Sequence, residues 1–153
     1  MPAPFDVTSL DQALLILDSH ARVVGRPLLE TAGAPAERAR ALYLAPFVVL
    51  AHAAAPDPLF SYGNAAAQSL FELEWADLLA LPSRLSAEPM NQAERQRLLD
   101  AVSARGFIDD YAGVRVSRSG RRFRIEQATV WNLLDSDGAY RGQAATFATW
   151  SPV

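Results

Sequence analysis

The stretch from Phe107 to Trp150 constrains the fold more than any other part of the chain. It reads as antiparallel sheet: a strand from Phe107 to Ser117, a turn at "SRSG", a strand from Arg121 to Asp135, a turn at "DSDGAY", and a strand from Gly142 to Trp150. Two hairpins therefore follow one another. Strict alternation along the middle strand puts Phe123, Ile125, Gln127, Thr129, Trp131 and Leu133 on one face. Arg122, Arg124, Glu126, Ala128, Val130 and Asn132 share the other. The first face is expected to look inward, and it carries two polar side chains, Gln127 and Thr129. Such groups need partners, since an unmatched buried amide or hydroxyl costs on the order of a few kcal/mol.

Upstream of the meander the pattern is mixed. Leu10, Ala13, Leu14, Leu17 and Ala21 recur at helical spacing between Ser9 and Val24, with Thr8 or Ser9 as N-cap, and Gly25 and Pro27 stop the helix. The loop "GRPLLETAGAP" leads to a second helix from Ala36 to about Ala45, ended by Pro46. "FVVLAHA" and Leu59 to Tyr62 read as strands, Asn64 caps a short helix, and "WADLLALPSR" adds further helical turns. A longer helix from about Gln92 to Arg105 carries Leu98, Leu99 and Val102 on one face, with Gly106 as its C-cap.

Two helices, two strands, short helices, a longer helix and a three-stranded meander close as one α+β domain. Its five-stranded antiparallel sheet has the short helices on one face and an N-terminal helical extension, which is the layout of a PAS fold. The segments "DPLFSYGNAAAQSLFELEW", "LPSRLSAEP", "GFIDDYAGVRVSRSGRRFRIEQATVWNLLDSDG" and "GQAATFATW", from Asp57 to Trp150, resemble the MEKHLA family. This PAS-like domain is also found at the C-terminus of plant homeodomain leucine-zipper transcription factors. The chain is similar to the free-standing bacterial form, with residues 1–46 as a helical cap or dimerisation segment and 47–153 as the PAS-like domain. The resemblance implies a sensory or regulatory binding module and no enzymatic reaction.

Composition closes several branches. Zero cysteines exclude disulfides, thiolate metal sites, thiol catalysis and cysteinyl-flavin photochemistry. A net charge of −3 gives no global field to gather nucleic acid or anionic lipid. The opening residues "MPAPFDVTSLDQ" show no secretory signal and no apolar run approaches a membrane span, so a cytoplasmic protein is expected.

Candidate chemistry is sparse. His20 and His52 lack metal-ligand spacing and read as structural, and no metal site is expected. The cofactor stays unknown, and haem is disfavoured because the long helix holds no histidine. Asp109 and Asp110 are adjacent and point to opposite faces, so they form no catalytic dyad, and no catalytic residue is assigned. A hydrolase would need Ser83 or Ser86 beside a histidine and an acid. Arg115, Arg118, Arg121, Arg122 and Arg124 make the hairpin basic, either as a solvated face or as a contact for an acidic partner or anionic ligand. Arg84 is a candidate anion fork, with an ion pair to Glu88 or an aspartate of "FIDDY" as the plainer reading.

The ligand-binding set expected from sequence is Trp75, Arg84, Tyr111, Gln127, Thr129 and Trp131, with Phe147 completing a wall. Three functions compete. The first is a non-catalytic sensor that binds a small molecule and signals to a protein partner. The second is a ligand-free interaction module that forms a homodimer through the helix of Leu10, Leu14 and Leu17 or through the outer face of the sheet. The third is a small enzyme of the cone-shaped α+β barrel type, which a histidine within reach of Asp109 in a cavity would favour.

Overall fold

A computed structural model describes residues 7–30 and 33–153. The segment ahead of Val7, on which the reading of a missing secretory signal partly rests, lies outside the described residues, as do two residues of the "GRPLLETAGAP" loop. Among the described residues no helix is long and apolar enough to cross a membrane.

The elements are α1 (Val7–Val23), α2 (Pro35–Tyr43), β1 (Val48–Ala53), β2 (Phe60–Gly63), α3 (Ala65–Phe71) and α4 (Trp75–Leu79). A 3₁₀ turn (Ser83–Ser86), α5 (Pro89–Arg105), β3 (Phe107–Val116), β4 (Arg122–Leu134), β5 (Tyr140–Phe147) and β6 (Thr149–Pro152) complete the chain. The sheet is antiparallel with strand order β2-β1-β5-β4-β3, and β6 pairs with β4. The last strand expected from sequence is thus divided: β5 pairs with the second half of β4 and β6 with the first. Because α1 already begins at Val7, Thr8 and Ser9 lie inside it rather than at its cap.

Asn64 acts as the N-cap its position predicts, and does more. Its Oδ1 accepts from the backbone N–H of Ala67 and of Val49, both at 3.1 Å, while its Nδ2 donates to the carbonyls of Leu42 and Phe47. One fully buried amide thereby joins α2, β1 and α3 with all its hydrogen-bonding capacity used. At the other end of the helical layer Gly106, at φ +97°, closes α5 through its N–H to the Val102 carbonyl.

The meander departs from strict alternation at two residues. Ile108 faces Val130, but Tyr111 faces Ala128 and Gly113 faces Ile125. One extra residue in β3 and one in β4 cancel, with Asp110 at φ +57° and Gln127 at φ +53° in the left-handed region. A one-residue slip exchanges the faces of everything beyond it. Phe123 and Ile125 therefore share a face with Ala128 and Val130, whereas Trp131 and Leu133 look the other way. This corrects the single inward face expected from period-two reading of β4.

The sheet is covered on both sides. Ala13, Ile16 and Leu17 of α1, with Ala39 and Leu42 of α2, pack against Val49, Ala51, Trp131, Leu133 and Ala144. On the opposite face Val48, Leu50, Phe60, Ile125 and Phe147 meet α3 and α4, and Val130 meets Leu98 and Val102 of α5.

Candidate functional site

Between the α3–α5 side of the sheet and α5 lies a cavity of about 70 Å³. Its walls are mostly apolar and include Leu50, Phe60, Leu98, Ile125, Val130 and Phe147, but His52, Ser83, Arg95, Tyr111, Arg115 and Gln143 also line it. A wider groove of about 380 Å³ at the surface shares Phe71 and Ser86 with it.

Each polar wall residue arrives through the periodicity of its element. His52 follows Val48 and Leu50 on alternate positions of β1 and lies opposite Gln143 of β5. Arg95 precedes Leu98 and Val102 at helical spacing, so the packed face of α5 carries a guanidinium into the interior. Tyr111, Gly113 and Arg115 alternate along β3. A Cβ on Gly113 would collide with the Tyr111 hydroxyl, so glycine leaves room for the Tyr111–Arg115 contact.

The hydrogen bonds form two groups, one on each wall. Arg95 Nη2 donates to Ser83 Oγ at 2.7 Å, and Ser83 Oγ lies 2.8 Å from His52 Nδ1. Gln143 Nε2 faces the Leu99 carbonyl, Ser103 Oγ and Asn132 Oδ1 at 3.0–3.2 Å, and Gln143 also bonds His52. The proton inventory that satisfies these contacts has the Ser83 hydroxyl donating to Nδ1 and the other ring nitrogen donating to the Gln143 carbonyl oxygen. Burial, reinforced by the Arg95 charge, lowers His52 to about 4, so the ring is neutral at ordinary pH. On the opposite wall Arg115 Nη2 donates to the Tyr111 hydroxyl at 3.2 Å, and that hydroxyl donates to the Glu94 carboxylate at 2.9 Å. Burial raises the Tyr111 hydroxyl, against the pull of Arg115.

A serine and a histidine at 2.8 Å invite comparison with a hydrolytic pair. The rest of the arrangement differs. His52 is oriented by an amide rather than a carboxylate, its basicity is depressed, and Ser83 Oγ already accepts from Arg95. Asp109 is exposed on β3. Among the described residues no group of three or more acidic or histidine side chains could hold a metal ion.

Of the six positions singled out in the sequence, Tyr111 lines the cavity and the other five are placed elsewhere. Gln127 is exposed at its bulge, and Thr129 points to the α1 side, as does Trp131. Trp131 is fully buried with its ring 4.8 Å from that of His20, edge to face. Trp75 stacks edge-on with Tyr62 at 5.7 Å in the same cluster. Arg84 is half-exposed and pairs with Asp57 at 3.0 Å, not with Glu88 or the aspartates of β3. His20 donates to the Arg26 carbonyl at 2.8 Å, and burial lowers its pKa. Phe147 and Ser83 do reach the cavity.

The basic hairpin also divides. Arg118 pairs with Asp77, Arg121 with Glu72, Arg122 with Glu88 and Arg124 with Glu126. Arg115 turns inward instead, only 8% exposed. Arg95 and Gln143 were missed from sequence and His52 was read as structural, because each stands singly within an apolar pattern. The available signal was position: a charged residue in register with Leu98 and Val102, and a histidine in register with Val48 and Leu50.

Comparison with known proteins places this architecture. The model of the MEKHLA domain matches residues 10–152. The homeobox-leucine zipper protein ATHB-9 of Arabidopsis thaliana is 29% identical over 99 residues, which is 63% of this chain and 11% of that protein. The chain thus spans about a tenth of the length of this plant relative. A PAS domain from Colwellia psychrerythraea superposes with a TM-score of 0.62 at 12% identity, covering 76% of this chain and 94% of that one. A PAS domain in complex with ethanol, from a LuxR-family transcriptional regulator of Burkholderia thailandensis, gives 0.54 at 18% identity and covers 74% and 95%. Sequence and fold agree: the chain belongs to the MEKHLA domain family and has the α+β fold of PAS domains.

Proposed function

We propose that this domain is a non-catalytic sensory module that binds a small organic molecule in the cavity between its sheet and α5 and passes the occupancy on to a protein partner. The observation that carries the reading is the cavity itself: a space of about 70 Å³ with apolar walls and a small set of convergent polar groups, His52, Ser83, Arg95 and Gln143. A well-packed interior leaves few voids larger than a water molecule. A PAS domain of the same fold is described in complex with ethanol, a ligand of comparable scale. The depressed basicity of His52 and its amide partner favour binding over hydrolysis. α1 and α2 serve in this reading as a cap on the sheet, because Ile16, Leu17 and Leu42 are buried against it.

The test is a thermal-shift screen of short alcohols, acids and amides against the wild type and against Ala145→Leu, which adds bulk to the cavity wall. At least one compound should stabilise the wild type and lose its effect in the variant. If no compound stabilises the wild type, or if stabilisation is the same in both, the cavity is not the binding site.

A further inference from the structure

We infer that the cavity is built for a short-chain monocarboxylate, its carboxylate held by the guanidinium groups of Arg95 and Arg115 and its alkyl part lodged against Leu98, Ile125 and Phe147. The inference rests on the reading of the cavity as a small-molecule site and assigns the ligand its chemical class.

Arg95 and Arg115 are each 8% exposed, and both line the cavity. A guanidinium so placed normally has a carboxylate against it, because an unpaired charge taken out of water is costly. Neither forms an ion pair with a carboxylate among the described residues, whereas Arg38, Arg84, Arg118, Arg121, Arg122, Arg124 and Arg141 all do. Of the two nearby acids one is occupied elsewhere, and the other reaches Arg115 only through a hydroxyl. Asp57 pairs with Arg84, and Glu94 is linked to Arg115 through the Tyr111 hydroxyl.

Donor capacity points the same way. A guanidinium carries five N–H donors. Hydrogen bonds account for one on Arg95, to Ser83 Oγ, and for two on Arg115, to the Val114 carbonyl and the Tyr111 hydroxyl. The mutual repulsion of the two cations depresses Arg95 further after burial has done so, to about 10. An acceptor-only anion between them supplies what both lack.

Size and wall chemistry narrow the anion. About 70 Å³ accommodates a molecule of roughly four to six heavy atoms, given that a site for a single water needs some 10–15 Å³ on the same measure. Phosphate and sulfate would present charge to every wall, including Leu98, Ile125 and Phe147, where no donor waits. A fatty acid of a few carbons divides into a charged end and an apolar end, as the cavity does.

The test uses ligand-observed saturation-transfer NMR with the 153-residue protein and sodium butyrate, butyramide, 1-butanol and sodium phosphate as probes. Butyrate should saturate and bind at least about tenfold more tightly than butyramide, its neutral isostere, and phosphate should not compete with it. Arg95→Met and Arg115→Met, checked for folding by circular dichroism, should each weaken butyrate at least about tenfold while changing 1-butanol binding less than about threefold. The comparison of butyrate with butyramide on the wild type stands even if a variant does not fold. Equal or tighter binding of butyramide or butanol would keep the cavity as a small-molecule site and overturn the anion assignment. Competition by phosphate would overturn it as well. Binding of none of the probes up to about 50 mM would overturn both the ligand class and the site.

Discussion

Trp131 and Val130 are neighbours in β4, yet they belong to two differently finished interiors. Trp131 is fully buried, stacked edge-on with His20, and enclosed by Ile16, Leu17 and Leu133. Val130 faces a cavity across which two arginines, a histidine and a glutamine are brought together. Both faces are lined by alternate residues of the same strands, so neither strand propensity nor composition separates them. What separates them is the covering layer. The α1 side meets α1 and α2, whose Ala13, Ile16, Leu17, Ala39 and Leu42 supply an apolar cover. The other side meets short helices and α5, which places Arg95 among its inward residues. One face is finished by packing, and the other leaves room and charge.

The largest effect should come from breaking the packed face. Trp131→Ala removes a large fully buried side chain and should destabilise the domain by about 4 kcal/mol, read from urea unfolding. Should the variant lose less than about 1 kcal/mol, the α1 face is not the principal core. Asn64→Ala attacks the joint between the two sides. Four backbone groups lose their partner, and a loss of about 3 kcal/mol is expected by the same measurement.

A pH series sharpens the comparison from the cavity side. The ordinary histidine pKa is 6.5 and that of folded His52 is about 4, so above pH 6.5 both states are neutral and the stability is complete. As pH falls between 6.5 and 4 the unfolded chain takes up a proton that the folded one refuses, and stability is lost. His52→Gln should remove about 2 kcal/mol of the decline between pH 7.5 and 5. An unchanged decline in the variant would place the titrating group elsewhere. The smallest effect belongs to Arg84→Ala. Its pair with Asp57 is exposed, so stability should change by less than about 0.5 kcal/mol and cavity binding not at all.

The element order, the caps at Asn64 and Gly106, and the helical layer were legible because each depends on local residue chemistry: an amide side chain before a helix, a glycine after one, apolar residues at fixed spacing. The face assignment of β4 was not. Gln127 and Asp110 adopt positive φ values without glycine, and nothing in "EQATVW" or "IDDYA" announces an inserted residue. That slip carried Thr129 and Trp131 from the expected cavity wall to the opposite core. Tyr111 stands at the wall because it alternates with Gly113 and Arg115, which pair with Ile125 and Phe123 on the cavity side. Arg95 illustrates a second limit. A helix wheel shows it beside Leu98 and Val102, but a snorkelling arginine and a buried one have the same spacing, and only the packing of β3 against α5 distinguishes them.

The central claim is that ligand occupies the cavity face and leaves the α1 face undisturbed. An amide and indole ¹H–¹⁵N correlation map recorded with and without butyrate tests it directly. The indole N–H of Trp131 has no hydrogen-bond partner among the described residues and should respond to any ligand on its own side. The account predicts shifts at Leu50, His52, Ser83 and Ala145 with the Trp131 indole unmoved. Shifts confined to Trp131 and α1, with the cavity residues silent, would contradict it.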